Sequence, residues 1–202
     1  SVEIIQDYED KRIRLLHNQE NKGLVFTRNR GFAEAKGEYF AILDCDDWAY
    51  PQRLEKQMIF LDENPDFGLV GTSVELIDAY NKITGQWNYK LKPDLIPPTL
   101  LFHNYFAQSS IMLRLSIQGL TYRKEFPLAE DYDLWCRISK KYKVWTLPEV
   151  LTQYRVHDTN ISKIQEEKIN KAIGTISRNQ IQELGVVASD EELILHRKIG
   201  SA

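Results

Sequence analysis

A short apolar run that ends in three carboxylates constrains this chain more than any other feature. The run spans residues 38–43 after Gly37, and Asp44, Asp46 and Asp47 follow it directly. Such a run is typical of a buried strand in an α/β sheet, and open sheets of that kind bind ligands beyond the carboxyl ends of their strands. Because alternate residues of an extended segment point the same way, Asp44 and Asp46 are predicted to converge on one divalent cation.

The alternative interpretation of the acid cluster is structural. Asp46 or Asp47 could cap a helix that begins near Pro51, whose ring suits the first helical turn. Capping needs one acid, whereas the cluster holds three. The excess of carboxylates therefore favours a cation site.

Apolar spacing and turn residues predict an alternation of helices and strands. Helices are predicted over residues 2–8, 24–35, 51–63 and 130–140, with a tail helix over 161–184 and a last short helix that starts at a capping box of Ser189 and Glu192. Strands are predicted over residues 13–17, 39–43 and 68–77. This order predicts an α/β fold with a helical C-terminal tail.

Composition and charge restrict the class of partner. The chain has 202 residues, of which 43% are hydrophobic, so it can bury a core as one globular unit. A net charge of -3 with scattered Lys and Arg argues against a nucleic-acid partner. No apolar stretch approaches the ~20 residues that span a bilayer, and no signal peptide is recognisable. We expect a cytoplasmic segment, and a peripheral position at the inner membrane stays open.

Four motifs in order carry a resemblance to a known family. They are NKGLVFTRNRG (21–31) with AKGEY (35–39), LDCDD (43–47), AEDYDLW (129–135) and YRVHDTNIS (154–162). Together they resemble the bacterial family 2 glycosyltransferases of GT-A fold, a Rossmann-like nucleotide-diphospho-sugar transferase fold. The resemblance implies a GT-A domain over residues 1–162 and a helical extension over residues 163–202.

The resemblance also implies an activity. A sugar would pass, with inversion, from a nucleoside diphosphate donor, a UDP-sugar above all, to a hydroxyl of a sugar or glycolipid acceptor in glycoconjugate or polysaccharide synthesis. A divalent metal would stabilise the charge that develops on the leaving diphosphate. A carboxylate would take the proton of the acceptor hydroxyl, an effect typically worth ~10²–10⁴ in rate.

The same resemblance assigns roles to residues. Asp131 is the expected base, and its place in the first turn of a helix suggests that the helix dipole keeps it ionised. Mn²⁺ or Mg²⁺ would be held by Asp46 with help from Asp44, and His157 is the expected third ligand because a neutral imidazole suits Mn²⁺. Contacts to the donor and its metal are expected from Asp44, Asp46, Arg28, Asn21 and Gly23.

The start of the chain suggests that strands of the resembling family are absent. The chain begins with Ser1 rather than Met, and in that family two further strands precede this point. We therefore expect an unpaired edge on the strand over 39–43, covered by self-association or by a rearrangement of the first thirty or so residues. We also expect weak binding of uridine diphosphate or none. A non-catalytic fragment is accordingly an alternative for the chain as given.

A second alternative is an aspartate-nucleophile phosphatase. In such an enzyme Asp44 would attack phosphorus and Asp46 would act as the general acid. Asp47 stands where that class has Thr or Val, and the Lys and acid-pair motifs expected downstream are not recognisable. The sequence therefore favours the glycosyltransferase.

Overall fold

A computed structural model describes residues 2–158, 160 and 164–199 of the chain. The strands of its sheet are β1 (Tyr39–Ala41), β2 (Trp48–Ala49), β3 (Phe67–Ile77), β4 (Ile83–Trp87), β5 (Met112–Arg114) and β6 (Lys143–Arg155). The helices are α1 (Val2–Gln6), α2 (Leu24–Glu34), α3 (Arg53–Glu63), α4 (Ile96–Thr99), α5 (Glu130–Ser139), α6 (Glu166–Glu183) and α7 (Asp190–Ile199). Single 3₁₀ turns occur at Pro93–Leu95 and Gln108–Ser110.

The strands form one mixed sheet in the order β1-β5-β3-β6-β2, and β4 pairs with β3 beyond this path. The long strands β3 and β6 run parallel from the pair Phe67–Lys143 to the pair Ile77–Arg155. The other pairings are antiparallel. The α/β class is therefore confirmed, and the sheet is mixed because the β3–β6 pair is parallel while β1, β2, β4 and β5 pair antiparallel with their neighbours.

The strand predicted over residues 39–43 is shorter and less buried than its apolar character suggests. β1 ends at Ala41, its residues are exposed or half-buried, and β5 is its only partner among the described residues. The prediction of a fully buried strand is therefore wrong. An apolar run can pack one face on helices while it lies at the edge of a sheet, and Phe40 does so in edge contact with Phe32 of α2, with ring centroids 4.7 Å apart.

The strand predicted over residues 13–17 is not formed. This segment is irregular, and it lies along α2, where Arg14 contacts Glu34 and Arg30 donates to the carbonyl oxygen of His17. An apolar alternation becomes a strand only where a neighbouring strand completes its hydrogen bonds. No described strand lies beside these residues.

The predicted helices at 24–35, 51–63 and 130–140 are confirmed to within two residues as α2, α3 and α5. The tail helix predicted over 161–184 is α6, although residues 161–163 lie outside the described part of the chain. The capping box is confirmed as well, since Ser189 and Glu192 exchange side-chain to backbone hydrogen bonds of 2.8 and 3.2 Å.

The main core lies between the sheet and the helices α4, α5 and α6. Trp135 of α5 is fully buried, and Ala172 and Ile176 of α6 join the same cluster. Full burial of a large apolar side chain contributes ~1.5–3 kcal/mol, so this cluster holds α5 and α6 against the sheet. Within the described ranges, no helix combines the length and the apolar character needed to cross a membrane.

Candidate active site

A cavity of about 1000 Å³ opens where several segments end or begin. The loop after β1, the end of β4, the start of α5 and the end of β6 all contribute to it. Its charged and titratable lining is Arg28, Asp44, Cys45, Asp46, Asp47, Tyr89, His103, Tyr105, Glu130, Asp131, Tyr154, Arg155 and His157. The structure thus brings the predicted carboxylates, Arg28 and His157 to one site.

The three acids of the cluster have different partners. Asp44 lies 3.5 Å from Arg28, whereas Oδ2 of Asp46 lies 3.2 Å from Nε2 of His157. Asp47 turns inward and accepts the backbone N–H of Arg155 at 2.7 Å. β1 has ended before Asp44, and the chain turns at Cys45 and Asp46, so the alternation of an extended strand does not govern these side chains.

Arg155 fixes the position of the loop over residues 42–47, which is called here the acid loop. Its guanidinium donates to the carbonyl oxygen of Asp46 at 2.8 Å, and to the turn after β3 through the carbonyl of Asp78 and the side chain of Asn81, both at 2.7 Å. One planar side chain with several donors therefore ties the loop after β1 to the turn between β3 and β4. Burial is the largest cause that raises the pKa of Asp47, while Ser109 and the Arg155 amide act to lower it.

A buried arginine supports the loop from below. Arg53 of α3 is 1% exposed and donates to the carbonyl oxygens of Ile42 and Ile111 at 2.8 and 3.0 Å. Its Nε donates to Gln57, whose amide in turn donates to two further carbonyls. Burial lowers the pKa of Arg53 to about 10, against the raising effect of the Asp47 charge.

Arg28 forms a buried ion pair with the first acid of α5. Nη1 of Arg28 lies 2.6 Å from Oε1 of Glu130, whose side chain is only 2% exposed. Oε2 of Glu130 is buried without a hydrogen-bond partner among the described residues. The guanidinium thus spans the distance between Glu130 and Asp44, and so links the acid loop to α5.

Asp131 opens onto the cavity while protein surrounds its other sides. Asn104 donates to Oδ2 at 3.1 Å, and the backbone N–H of Tyr132 donates to Oδ1 at 2.7 Å. Burial and then the charge of Glu130 raise the pKa of Asp131 to about 6, against the lowering effects of Arg28 and the two hydrogen bonds. The helix dipole is therefore outweighed by desolvation, yet Asp131 stays mostly ionised at neutral pH.

The backbone just before α5 is strained. Leu128 lines the cavity and has a φ of 66°, a conformation that a branched side chain rarely adopts. Such strain persists only where surrounding contacts impose it, and it clusters at functional sites. Here it accompanies the turn that aims Glu130 and Asp131 at the cavity.

Two predicted donor contacts lie elsewhere. Asn21 and Gly23 are not among the described residues that line the cavity, although Leu24 and Arg28 of the same motif are. The side chain of Asn21 instead accepts the N–H of Gly23 at 3.0 Å, and Gly23 has a φ of 82°. In this structure both residues shape the start of α2.

The cavity offers carboxylate and imidazole donors to a divalent cation such as Mn²⁺ or Mg²⁺. Among the described residues, no group of three or more His, Cys, Asp or Glu side chains is arranged to hold a metal alone. Asp46 and His157 do converge, and Asp44 lies two residues from Asp46. Such cations are commonly bound by one or two protein ligands together with substrate phosphate oxygens. The residues therefore fit a metal that a diphosphate helps to coordinate.

Sequence reasoning missed three contributors to the cavity. Asn104 has no motif signal, and Trp87 stands in an extended stretch without chemical pattern. Arg155 lies inside a motif, but nothing in the sequence says that it braces the acid loop. These roles depend on contacts between segments that are far apart in the chain.

Comparisons with known proteins place the chain in a family. The family model for glycosyl transferase family 2 matches residues 1–120 of the chain. The chain belongs to that family. The family is the one that the motifs resemble, so the phosphatase alternative is set aside.

The chain is similar to glycosyltransferases of several organisms. An uncharacterized glycosyltransferase of Methanocaldococcus jannaschii is 35% identical over 83% of this chain and 60% of its own length. The Escherichia coli UDP-Glc:alpha-D-GlcNAc-diphosphoundecaprenol beta-1,3-glucosyltransferase WfaP is 30% identical over 89% of this chain and 72% of its own. A Haemophilus influenzae glycosyltransferase is 29% identical, and the chain spans 57% of it. The chain thus spans little more than half of several relatives.

A solved structure supports the fold. TarS 1–349 of S. aureus in complex with UDP-GlcNAc superposes with a TM-score of 0.64 over 97% of this chain and 57% of that one, at 14% identity. This likeness confirms the predicted GT-A fold. The C-terminal helices α6 and α7 complete the helical end of the chain.

Proposed function

We propose that this chain transfers a sugar, with inversion, from a nucleoside diphosphate donor to a hydroxyl of a sugar or glycolipid acceptor. The observation that carries the proposal is the pairing of two sites in one cavity. Asp46 and His157 converge where a cation would bind. Asp131, which accepts a hydrogen bond from Asn104, would act as the base. Membership of glycosyl transferase family 2 supports the reaction class.

Charge supports a cation in the proposed reaction. Five carboxylates line the cavity against two guanidinium groups, so a diphosphate would meet net repulsion without a bound cation. Mn²⁺ or Mg²⁺ bound at Asp46, His157 and Asp44 would supply Lewis-acid stabilisation of the leaving diphosphate. Arg28, which now pairs with Glu130 and Asp44, is placed to contact the same anion.

The protein's own groups would perform the acceptor half of the reaction. Asp131 would accept the proton of the attacking hydroxyl, and a pKa of about 6 suits a base that works near neutral pH. Asn104 and the Tyr132 amide orient the carboxylate. A single displacement of this kind inverts the anomeric carbon.

The comparisons support a UDP-sugar as donor and a polysaccharide precursor as acceptor. TarS was solved with UDP-GlcNAc, the relative WfaP is named as a UDP-Glc transferase, and another relative, WbnJ of Escherichia coli, is named for O-antigen biosynthesis. We propose the same classes of donor and acceptor here.

Metal-dependent stabilisation tests the proposal. Thermal melting of the wild type should rise with Mn²⁺ and rise further when uridine diphosphate is added, since binding to the folded state alone stabilises it. Asp46→Asn should lose both increments, whereas Asp94→Asn, an exposed acid outside the cavity, should keep them. Equal responses of the two variants would refute the metal assignment.

We also propose that the outer edge of β1 recruits a second copy of the chain. Within the described residues β1 pairs only with β5, and exposed strand edges promote association. Sedimentation velocity over a concentration series should show a dimer that Ala41→Pro, which removes an edge donor, dissociates. A monomer at every concentration would contradict the idea.

A further inference from the structure

Four aromatic residues line the cavity and are called here the aromatic wall. They are Trp87, Tyr89, Tyr105 and Tyr154. The rings form two contacting pairs, with centroids 5.3 Å apart for Trp87 and Tyr154 and 5.0 Å apart for Tyr89 and Tyr105. Trp87 is 40% exposed, which is a large apolar surface to leave open inside a cavity. No step of the proposed chemistry uses these rings.

The aromatic wall is held in place before any ligand arrives. The N–H of Tyr89 donates to the hydroxyl of Ser73 on β3 at 3.1 Å, and the N–H of Leu91 donates to the hydroxyl of Tyr105 at 3.1 Å. Trp87 pairs with Val74 across the β3–β4 ladder. A surface built on a strand and fixed by hydrogen bonds loses little conformational entropy when it binds a ligand.

Polar groups stand beside the rings in the same cavity. Gln86, Asn88 and His103 are among the residues that line it, and Asn104 follows His103 in the chain. Asn104 is also the residue that donates to Asp131. Aromatic faces next to amide donors and acceptors suit a pyranose, because its ring has apolar C–H faces and a rim of hydroxyl groups. Pockets of this composition bind through the apolar surface and orient through a few polar groups.

We propose that the aromatic wall is the acceptor subsite, where Trp87 stacks on a pyranose ring and Asn104 lies between that sugar and the base. The proposal rests on the transfer reaction proposed above and specifies which part of the cavity recognises the acceptor. The acids of the loop after β1 and His157 would bind the metal and the donor diphosphate. The sugar could be free or linked to a lipid, because the wall recognises only the ring.

Direct binding tests the subsite without any turnover. Saturation-transfer NMR on the full chain should detect methyl β-D-glucopyranoside and methyl N-acetyl-β-D-glucosaminide at millimolar concentration, and should detect no binding of the open-chain polyol sorbitol. Trp87→Ala should weaken glycoside binding at least tenfold, since an aromatic anchor of a binding site commonly contributes that much. Tyr80→Ala, which removes an 89% exposed ring from the turn of the same hairpin, should bind like the wild type. Absence of glycoside binding by the wild type, or equal binding by both variants, would overturn the assignment.

Octyl β-D-glucopyranoside separates recognition of the ring from recognition of a lipid tail. Trp87→Ala should lose affinity for the octyl and methyl glycosides by the same factor. A loss confined to the octyl glycoside would mean that the wall binds an alkyl chain, which would overturn the subsite. Melting curves of each variant verify that it is folded, and Trp87→Phe, which keeps an aromatic face, should recover most of the affinity.

Turnover distinguishes failure of the subsite from failure of the proposed reaction. With UDP-glucose and a methyl glycoside as substrates, Trp87→Ala should raise the acceptor KM at least tenfold, whereas Tyr80→Ala should keep the acceptor KM and the donor hydrolysis of the wild type. Asp46→Asn should lose donor hydrolysis, and this variant therefore tests the proposed reaction itself. An unchanged acceptor KM in an active Trp87→Ala enzyme would refute the subsite alone.

Discussion

The substitution Asp131→Asn separates catalysis from stability, because the structure predicts opposite effects on the two. Burial and Glu130 raise the pKa of Asp131 from its ordinary 3.8 to about 6. The folded state then holds the proton more tightly than the unfolded state, so ionisation of Asp131 costs stability as pH rises. This loss of stability is absent below about pH 4, grows as the pH rises from about 4 to about 6, and is complete above about pH 6.

The magnitude follows from the same shift. A rise from 3.8 to about 6 corresponds to ~3 kcal/mol at neutral pH, since one pKa unit is ~1.4 kcal/mol. Replacing the Asp131 carboxylate with an amide removes this ionisation cost, but the amide would accept only one of the two hydrogen bonds from Asn104 and Tyr132. The lost hydrogen bond reduces the gain in stability by ~1 kcal/mol. Asp131→Asn should therefore stabilise the chain by roughly 2 kcal/mol at pH 8, or about 4–8 °C in Tm for a domain of this size.

Melting curves from pH 4 to pH 8 measure the effect. The Tm of Asp131→Asn should exceed that of the wild type at pH 8, and the difference should vanish or reverse near pH 4, where the ionisation cost is nearly gone and the lost hydrogen bond remains, while Asp94→Asn should show no such trend. Turnover of Asp131→Asn should fall by ~10²–10⁴ with little change in donor affinity. A lower Tm at pH 8, or a difference that does not depend on pH, would refute the account of Asp131 as a desolvated base.

Three further predictions concern packing and the charge network. Gly68→Ala should cost ~1–3 kcal/mol in the free energy of unfolding, because its new Cβ would lie 2.8 Å from Cβ of Tyr142. Gly174→Ala in α6 should gain about 0.5–1 kcal/mol, because its new Cβ would have the Arg197 side chain as its nearest neighbour at 3.9 Å. Arg28→Ala should lower the free energy of unfolding by ~3–5 kcal/mol, because it leaves Glu130 buried and unpaired. Adding Glu130→Gln should recover much of that loss. Denaturant titration of the single and the double variant measures both effects. Arg155→Lys should reduce the Mn²⁺-dependent rise in Tm, since a single ammonium cannot keep all the contacts that hold the acid loop, and an undiminished rise would contradict this role.

Local patterns were sufficient for the helices and for the family. The apolar spacing of α2, α3 and α5 and the capping box at Ser189 depend on residues that are near one another in the chain, so the sequence predicts them well. The acid cluster and the motif around Asp131 also predicted residues that meet in one cavity.

Pairing partners could not be predicted in the same way. The segment over 13–17 has the alternation of a strand, yet no described neighbour completes its hydrogen bonds, and β1 lies at an edge although its residues are apolar. Hydrogen bonds of a strand depend on segments distant in sequence, and local pattern carries no information about them.

The sequence by itself determined the α/β class, the order of the helices and the identity of the acids and the histidine at the site. Only the tertiary structure decided which acid meets which partner, that Arg155 braces the acid loop, and that Asn104 and the aromatic wall share a cavity with Asp131. The physical reason is that burial and pKa are properties of a site assembled from several segments. Asp131 is an ordinary carboxylate in the sequence, and the fold around it raises its pKa to about 6.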